Sequence, residues 1–225
     1  MQSGSNLLMD VKAALLAGVA STALISGQRV PTYVFDAVTM AAPPSPPPNA
    51  CSDIGRGCVS GGGPPTPLSI ESFTLDREDY VWLEDAIAEI FLVNRGTAGI
   101  TFPWSLVHPP CDEHQRAGFQ PPHAALHIEF ADGRGHAVKL WNALTLYYGT
   151  DPSSTIILAP QETIRFRVRI HLRGGGFRPE GFTLTPVPIR TSATATWEIS
   201  PAPETCYVQF TKPSVALSTS LRTSE

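Results

Sequence analysis

The stretch TIRFRVRIHLR, Thr163 to Arg173, alternates without a break: Ile164, Phe166, Val168, Ile170 and Leu172 against Arg165, Arg167, Arg169, His171 and Arg173. Successive side chains of a strand point to opposite faces, so a period of two sends the apolar set to a core and the cationic set away from it. Working outward, the same period recurs in Leu126, Ile128 and Phe130, in Ala195, Trp197 and Ile199, and in Cys206, Val208 and Phe210, each read as an inward-facing set. Further runs at 70–75, 87–94, 99–102, 138–148 and 155–158 bring the strand candidates to about nine. Turn residues punctuate them at Asn94-Arg95-Gly96, Asp132-Gly133, 149–152 and 174–176. Glu84-Asp85 reads as a solvated turn before a strand. Short strands, glycine and proline turns and no long amphipathic helix define an all-β chain. The expected architecture is a single antiparallel β-sandwich of about 7–9 strands. A closed barrel is the alternative, since periodicity does not distinguish two packed sheets from one closed one.

Two stretches carry a family resemblance. In Ala86 to Ser105 an apolar strand ends in Asn94-Arg95-Gly96 and a second strand follows; in Ile156 to Leu172, Ala159-Pro160-Gln161-Glu162 makes a turn before the long alternating strand. This resembles the strand, N-x-G, strand and strand, P-x-E, strand patterns of bacterial immunoglobulin-like and fibronectin-like secreted domains, over roughly residues 68–212. The resemblance implies an Ig-like sandwich acting as an adhesive, spacer or binding module. The cysteine and tryptophan spacing of antibody-type domains is absent.

The rest of the chain divides by composition. Charged residues make up 16% of the 225, against roughly 25% in ordinary soluble domains, and the formal charge is −4. That balance offers phosphate no general attraction, so no nucleic acid is expected as a partner. Residues 1–40 read as a leader, an anchor or a short docking segment: an apolar run, Ala13 to Ile25, stands behind Lys12 with the length of a secretory h-region, so residues 9–27 read as a leader or membrane anchor, and Val30 to Met40 is apolar enough to be a short strand or helix packing elsewhere. Residues 41–67 are a linker with eight prolines and five glycines, a semi-rigid spacer that cannot build a core. Residues 68–212 are the sandwich, and 213–225 a polar tail. The four cysteines, Cys51, Cys58, Cys111 and Cys206, lack zinc-ribbon or redox spacing. Two disulfides are expected, most simply Cys51 with Cys58 and Cys111 with Cys206, although three connectivities exist. Disulfides and a leader together imply a periplasmic, cell-surface or secreted protein, membrane-anchored if the leader is retained.

Three constellations could bind. His108, His114, His123 and His127, four of the six histidines, fall close together with Cys111, Asp112, Glu113 and Glu129, a donor set suited to zinc or copper. On a strand beginning near His123, the side chains of His123, His127 and Glu129 share one face, but the two imidazoles stand about 13 Å apart, too far for one ion without a bend. The row Arg165, Arg167, Arg169, His171 and Arg173 could meet an acidic polymer, or simply be a solvated face paired with carboxylates on neighbouring strands. Trp104, Trp141, Tyr147 and Tyr148 could stack on a glycan, or pack as core and interface residues. No G-x-S-x-G, H-E-x-x-H or phosphate-binding loop is present, so nothing marks the chain as an enzyme. The expected role is a non-catalytic structural or protein-binding module among other cell-envelope proteins, with metal or carbohydrate binding as the alternative.

Overall fold

A computed structural model describes residues 30–40, 66–81, 83–109, 121–134, 137–149, 151–172, 189–200 and 208–222. Residues 9–27, the linker up to residue 65, all four cysteines, His114 and Arg173 lie outside them. Among the described residues no helix is long and apolar enough to cross a membrane.

The described residues form twelve strands: β1 (Tyr33–Asp36), β2 (Leu68–Leu75), β3 (Asp79–Val81), β4 (Asp85–Asn94), β5 (Ile100–Pro103), β6 (His123–Asp132), β7 (Ala137–Tyr147), β8 (Thr155–Leu158), β9 (Thr163–His171), β10 (Ile189–Ser200), β11 (Gln209–Phe210) and β12 (Leu217–Arg222). One sheet has the order β1-β9-β4-β2. A second has the order β3-β12-β10-β6-β7, with β11 also on β10, and β5 and β8 form a two-stranded ribbon. The fold is thus nearly all β, as the alternation predicts.

The expectation of a purely antiparallel architecture is corrected: β1 runs parallel to β9, and β12 parallel to β3. The sheets also reach beyond residues 68–212 at both ends. Phe35 of β1 is buried beside Phe166, and residues 217–222, read above as polar tail, form a full strand on β10. LSTSLR escapes notice because serine and threonine occupy most of it; Leu217 and Leu221 are its only apolar side chains, yet Thr219 and Leu221 are buried. The inward set at Cys206, Val208 and Phe210 is corrected as well, since Phe210 is 48% exposed.

The alternation places the core between the two large sheets. Ile164, Phe166, Val168 and Ile170 of β9 and Ala86, Ala88, Ile90 and Leu92 of β4 are buried from one side. Leu126, Ile128 and Phe130 of β6 and Ala193, Ala195 and Trp197 of β10 are buried from the other. The two halves meet where the Phe166 and Trp197 rings lie 4.6 Å apart, with Phe102 of β5 packed edge-on to Trp197 at 5.6 Å.

The N-x-G and P-x-E turns meet each other. Asn94 is fully buried; its Nδ2 donates to the carbonyls of Ala98 and Leu158, and its Oδ1 accepts from the Gly96 amide. The Gln161 amide donates to the Asn94 carbonyl, and the Asn94 amide to that of Glu162. Glu162 closes its own turn by accepting from the Ala159 amide at 2.7 Å. A side chain at residue 96 would stand 2.9 Å from Pro67 Cβ, which is why glycine serves there.

Candidate functional site

The outward face of β6 carries His123, His127 and Glu129; the outward face of β10 carries Thr194, Thr196 and Glu198. Their antiparallel register sets Glu198 opposite Ala125, midway between the two histidines. Residues facing out on neighbouring strands are close enough for long side chains to meet diagonally. His123 Nε2 lies 3.5 Å from Glu198 Oε1, and His127 Nε2 lies 2.9 Å from Oε2. The strand separation that keeps the imidazoles from sharing an ion is thus bridged by one carboxylate.

His123 is buried, and its Nδ1 lies 2.8 Å from the Pro121 carbonyl, which can only accept. Its Nε2 faces a second acceptor, the Glu198 carboxylate. The hydrogen bond from His123, followed by that from His127, holds the Glu198 carboxyl well below its ordinary range, at about 2, against the partial burial that would raise it.

Beside this cluster lies a groove of about 490 Å³ lined by His127, Glu129, Thr194, Thr196, Glu198, Phe210 and Pro213. Its wall is the segment that follows β11. The Thr211 amide donates to the Trp197 carbonyl, its hydroxyl accepts from the Trp197 amide, and the Ser214 amide donates to the Ala195 carbonyl. Those bonds hold Phe210 and Pro213 over the outward face.

The expected metal set does not assemble among the described residues: no group of three His, Cys, Asp or Glu side chains is arranged to hold an ion. His108 turns its Nδ1 to the Pro109 carbonyl and stacks on Tyr147, ring centroids 4.8 Å apart, while the Tyr147 ring lies 6.5 Å from that of His123. His114 is outside the described residues.

The cationic row meets carboxylates. Arg167 pairs with Asp36 at 3.4 Å, and Arg169 and His171 share Asp85 at 3.6 and 2.8 Å. Arg165 stands between Val34 and Phe91, its Nε buried without a hydrogen-bond partner, so its stem covers apolar surface as amphipathic side chains do. Of the aromatic candidates, Trp104 packs against Phe35 and Phe166, and the Tyr148 hydroxyl, its pKa pushed up to about 12 by burial, donates to the Thr101 carbonyl. The side chain of Trp141 lies outside the described residues.

Sequence reasoning missed Glu198 and Phe210 as parts of one site. The inward reading of Ala195, Trp197 and Ile199 already put Thr194, Thr196 and Glu198 outward; the pairing of β10 with β6 was the missing link.

The fold and site define an all-β protein with an outward-facing groove. No protein-family model and no curated protein matches the chain. Among solved structures it is similar to a Pseudomonas fluorescens alkylpurine DNA glycosylase bound to DNA, with 12% identity over 70% of this chain and 31% of that one, at a TM-score of 0.38. A β-glucosidase from Erythrobacter marinus matches at 12% identity over 68% of this chain and 15% of that one, TM-score 0.32. The Bacillus subtilis sporulation control protein Spo0M matches at 8% identity over 69% and 49%, TM-score 0.32. The chain spans less than half of each of these three structures, and likenesses this weak carry no functional argument.

Proposed function

We propose that this protein is a non-catalytic binding module of an exported or cell-envelope assembly, an Ig-like variant whose contact surface is the outward face of β6 and β10. The observation that carries this reading is the groove itself, a ligand-sized concavity on a rigid sheet with Phe210 exposed at its rim. Both oxygens of Glu198 are engaged by imidazoles. That supports binding over proton transfer, because a general base needs its lone pairs turned to a substrate. The interlocked N-x-G and P-x-E turns support the resemblance to secreted sandwich domains. The export half of the proposal rests on the leader and the cysteines.

The test is affinity capture from the native envelope fraction with wild-type protein and with a Phe210→Ala, Thr196→Val double variant. Wild type should retain envelope components that the variant releases. Identical capture by both, or a protein confined to the cytoplasm on fractionation, would sink the reading.

A further inference from the structure

The chemistry of the groove names a ligand class, resting on the reading of this face as a binding surface. Its floor is a two-strand grid fixed by register: Glu129 opposite Thr194, His127 opposite Thr196. Side chains opposite each other stand about 5 Å apart on such a pair, a spacing at which one ring-shaped ligand meets two rows at once. Glu129, Thr194 and Thr196 make no hydrogen bond or ion pair among the described residues, so the floor presents a carboxylate that accepts and two hydroxyls that both donate and accept. His127 and Glu198 satisfy each other at 2.9 Å. Among the described residues no lysine or arginine lines the groove. An anionic ligand would therefore meet Glu129 with nothing to neutralise it, and a strongly cationic one would find a single free carboxylate.

What remains is a neutral molecule dense in hydroxyl groups with an apolar face for the Phe210 ring. We infer that the groove takes a neutral oligosaccharide: Glu129, Thr194 and Thr196 hydrogen-bond its hydroxyls, Phe210 and Pro213 pack against a sugar face, and the His123–Glu198–His127 cluster holds the floor rigid. The aromatic contact supplies the apolar part of such a site and the polar grid its orientation.

The experiment is calorimetric titration of the full chain with cellohexaose, maltohexaose and chitohexaose, with polygalacturonate and hexalysine as charged comparisons. At least one neutral hexasaccharide should bind with a Kd on the order of 0.1 mM, as a shallow open groove allows. Phe210→Ala and Thr196→Val should each weaken it about tenfold, with melting temperature unchanged, because a stacking face and a directed hydroxyl are each lost. Arg167→Ala, on the other sheet, should leave it as it is. Absence of binding to all three neutral sugars at millimolar concentration overturns the inference, as does binding indifferent to Phe210 and Thr196, or preference for hexalysine. If sugars fail to bind while the double variant still loses envelope capture, the glycan inference falls and the binding-module reading stands.

Discussion

The Glu198 carboxyl lies at about 2, below its ordinary 4.5, because two imidazoles hold its ionised form. A carboxylate depressed on folding contributes stability that is complete above the unfolded pKa and drains as pH falls through the folded one. The window is therefore pH 4.5 down to about 2. Glu198→Gln should cost about 2 kcal/mol at pH 6, allowing for partial exposure, and should flatten the fall in stability across that window. Urea unfolding at pH 6 and pH 3 reads both; a variant as acid-sensitive as wild type would contradict the assignment. Asn94 makes a sharper case. It joins Ala98, Leu158 and Gly96 through its side chain in a fully buried site, so Asn94→Ala strands two carbonyls and an amide and should cost about 2–4 kcal/mol. Denaturant midpoints would check it. Trp197 carries an Nε1 buried without a partner, with the Phe102 ring edge-on to it. Replacement by phenylalanine removes that unpaired donor and so should cost less than the roughly 3–5 kcal/mol expected for Trp197→Ala.

At the scale of elements, β9 was legible in full because its alternation is unbroken, and the nine strand candidates all coincide with strands or with parts of them. The strands that escaped are β3 and β12, and β1 showed only as an apolar run at 30–40 that could be strand or helix; all three are short or rich in serine and threonine. Each takes its stability from neighbours: Phe35 from Trp104 and Phe166, Tyr80 of β3 from the Asp76 carboxylate its hydroxyl bonds, Thr219 from the Glu78 carbonyl. Such strands have little local signature, since a tertiary pocket selects their few buried side chains. Truncation after residue 216 should consequently unfold more than one strand, as β3 has β12 as its sheet neighbour. Hydrogen exchange should show protection lost at Asp79–Val81 in the truncated chain; protection kept there would refute this dependence. By contrast Arg169→Ala, at a half-exposed ion pair, should move stability by less than about 1 kcal/mol.

For the whole molecule, one core serves both large sheets through Phe166, Trp197 and Phe102. Unfolding should therefore be a single transition, with tryptophan fluorescence and far-ultraviolet circular dichroism coinciding; separated transitions would mean that the sheets are independent units. The low charge of 16% also finds its place at this scale. Most outward positions on β10 and β12 are held by threonine and serine.

The sequence by itself determined most of the strands and, for β6, β9 and β10, which face turns inward, because a period of two is a local property of the backbone. It also marked the two turns whose asparagine and glutamate chemistry is short-range. Only the tertiary structure decided that β1 and β12 belong to the sheets, that two strand pairs run parallel, and that the β6–β10 register brings Glu198 between His123 and His127 beside Phe210. Pairing joins residues some 70 positions apart, as His127 and Glu198 are. Which strand lies beside which is set by how the whole core packs, and alternation along a single strand contains no record of it.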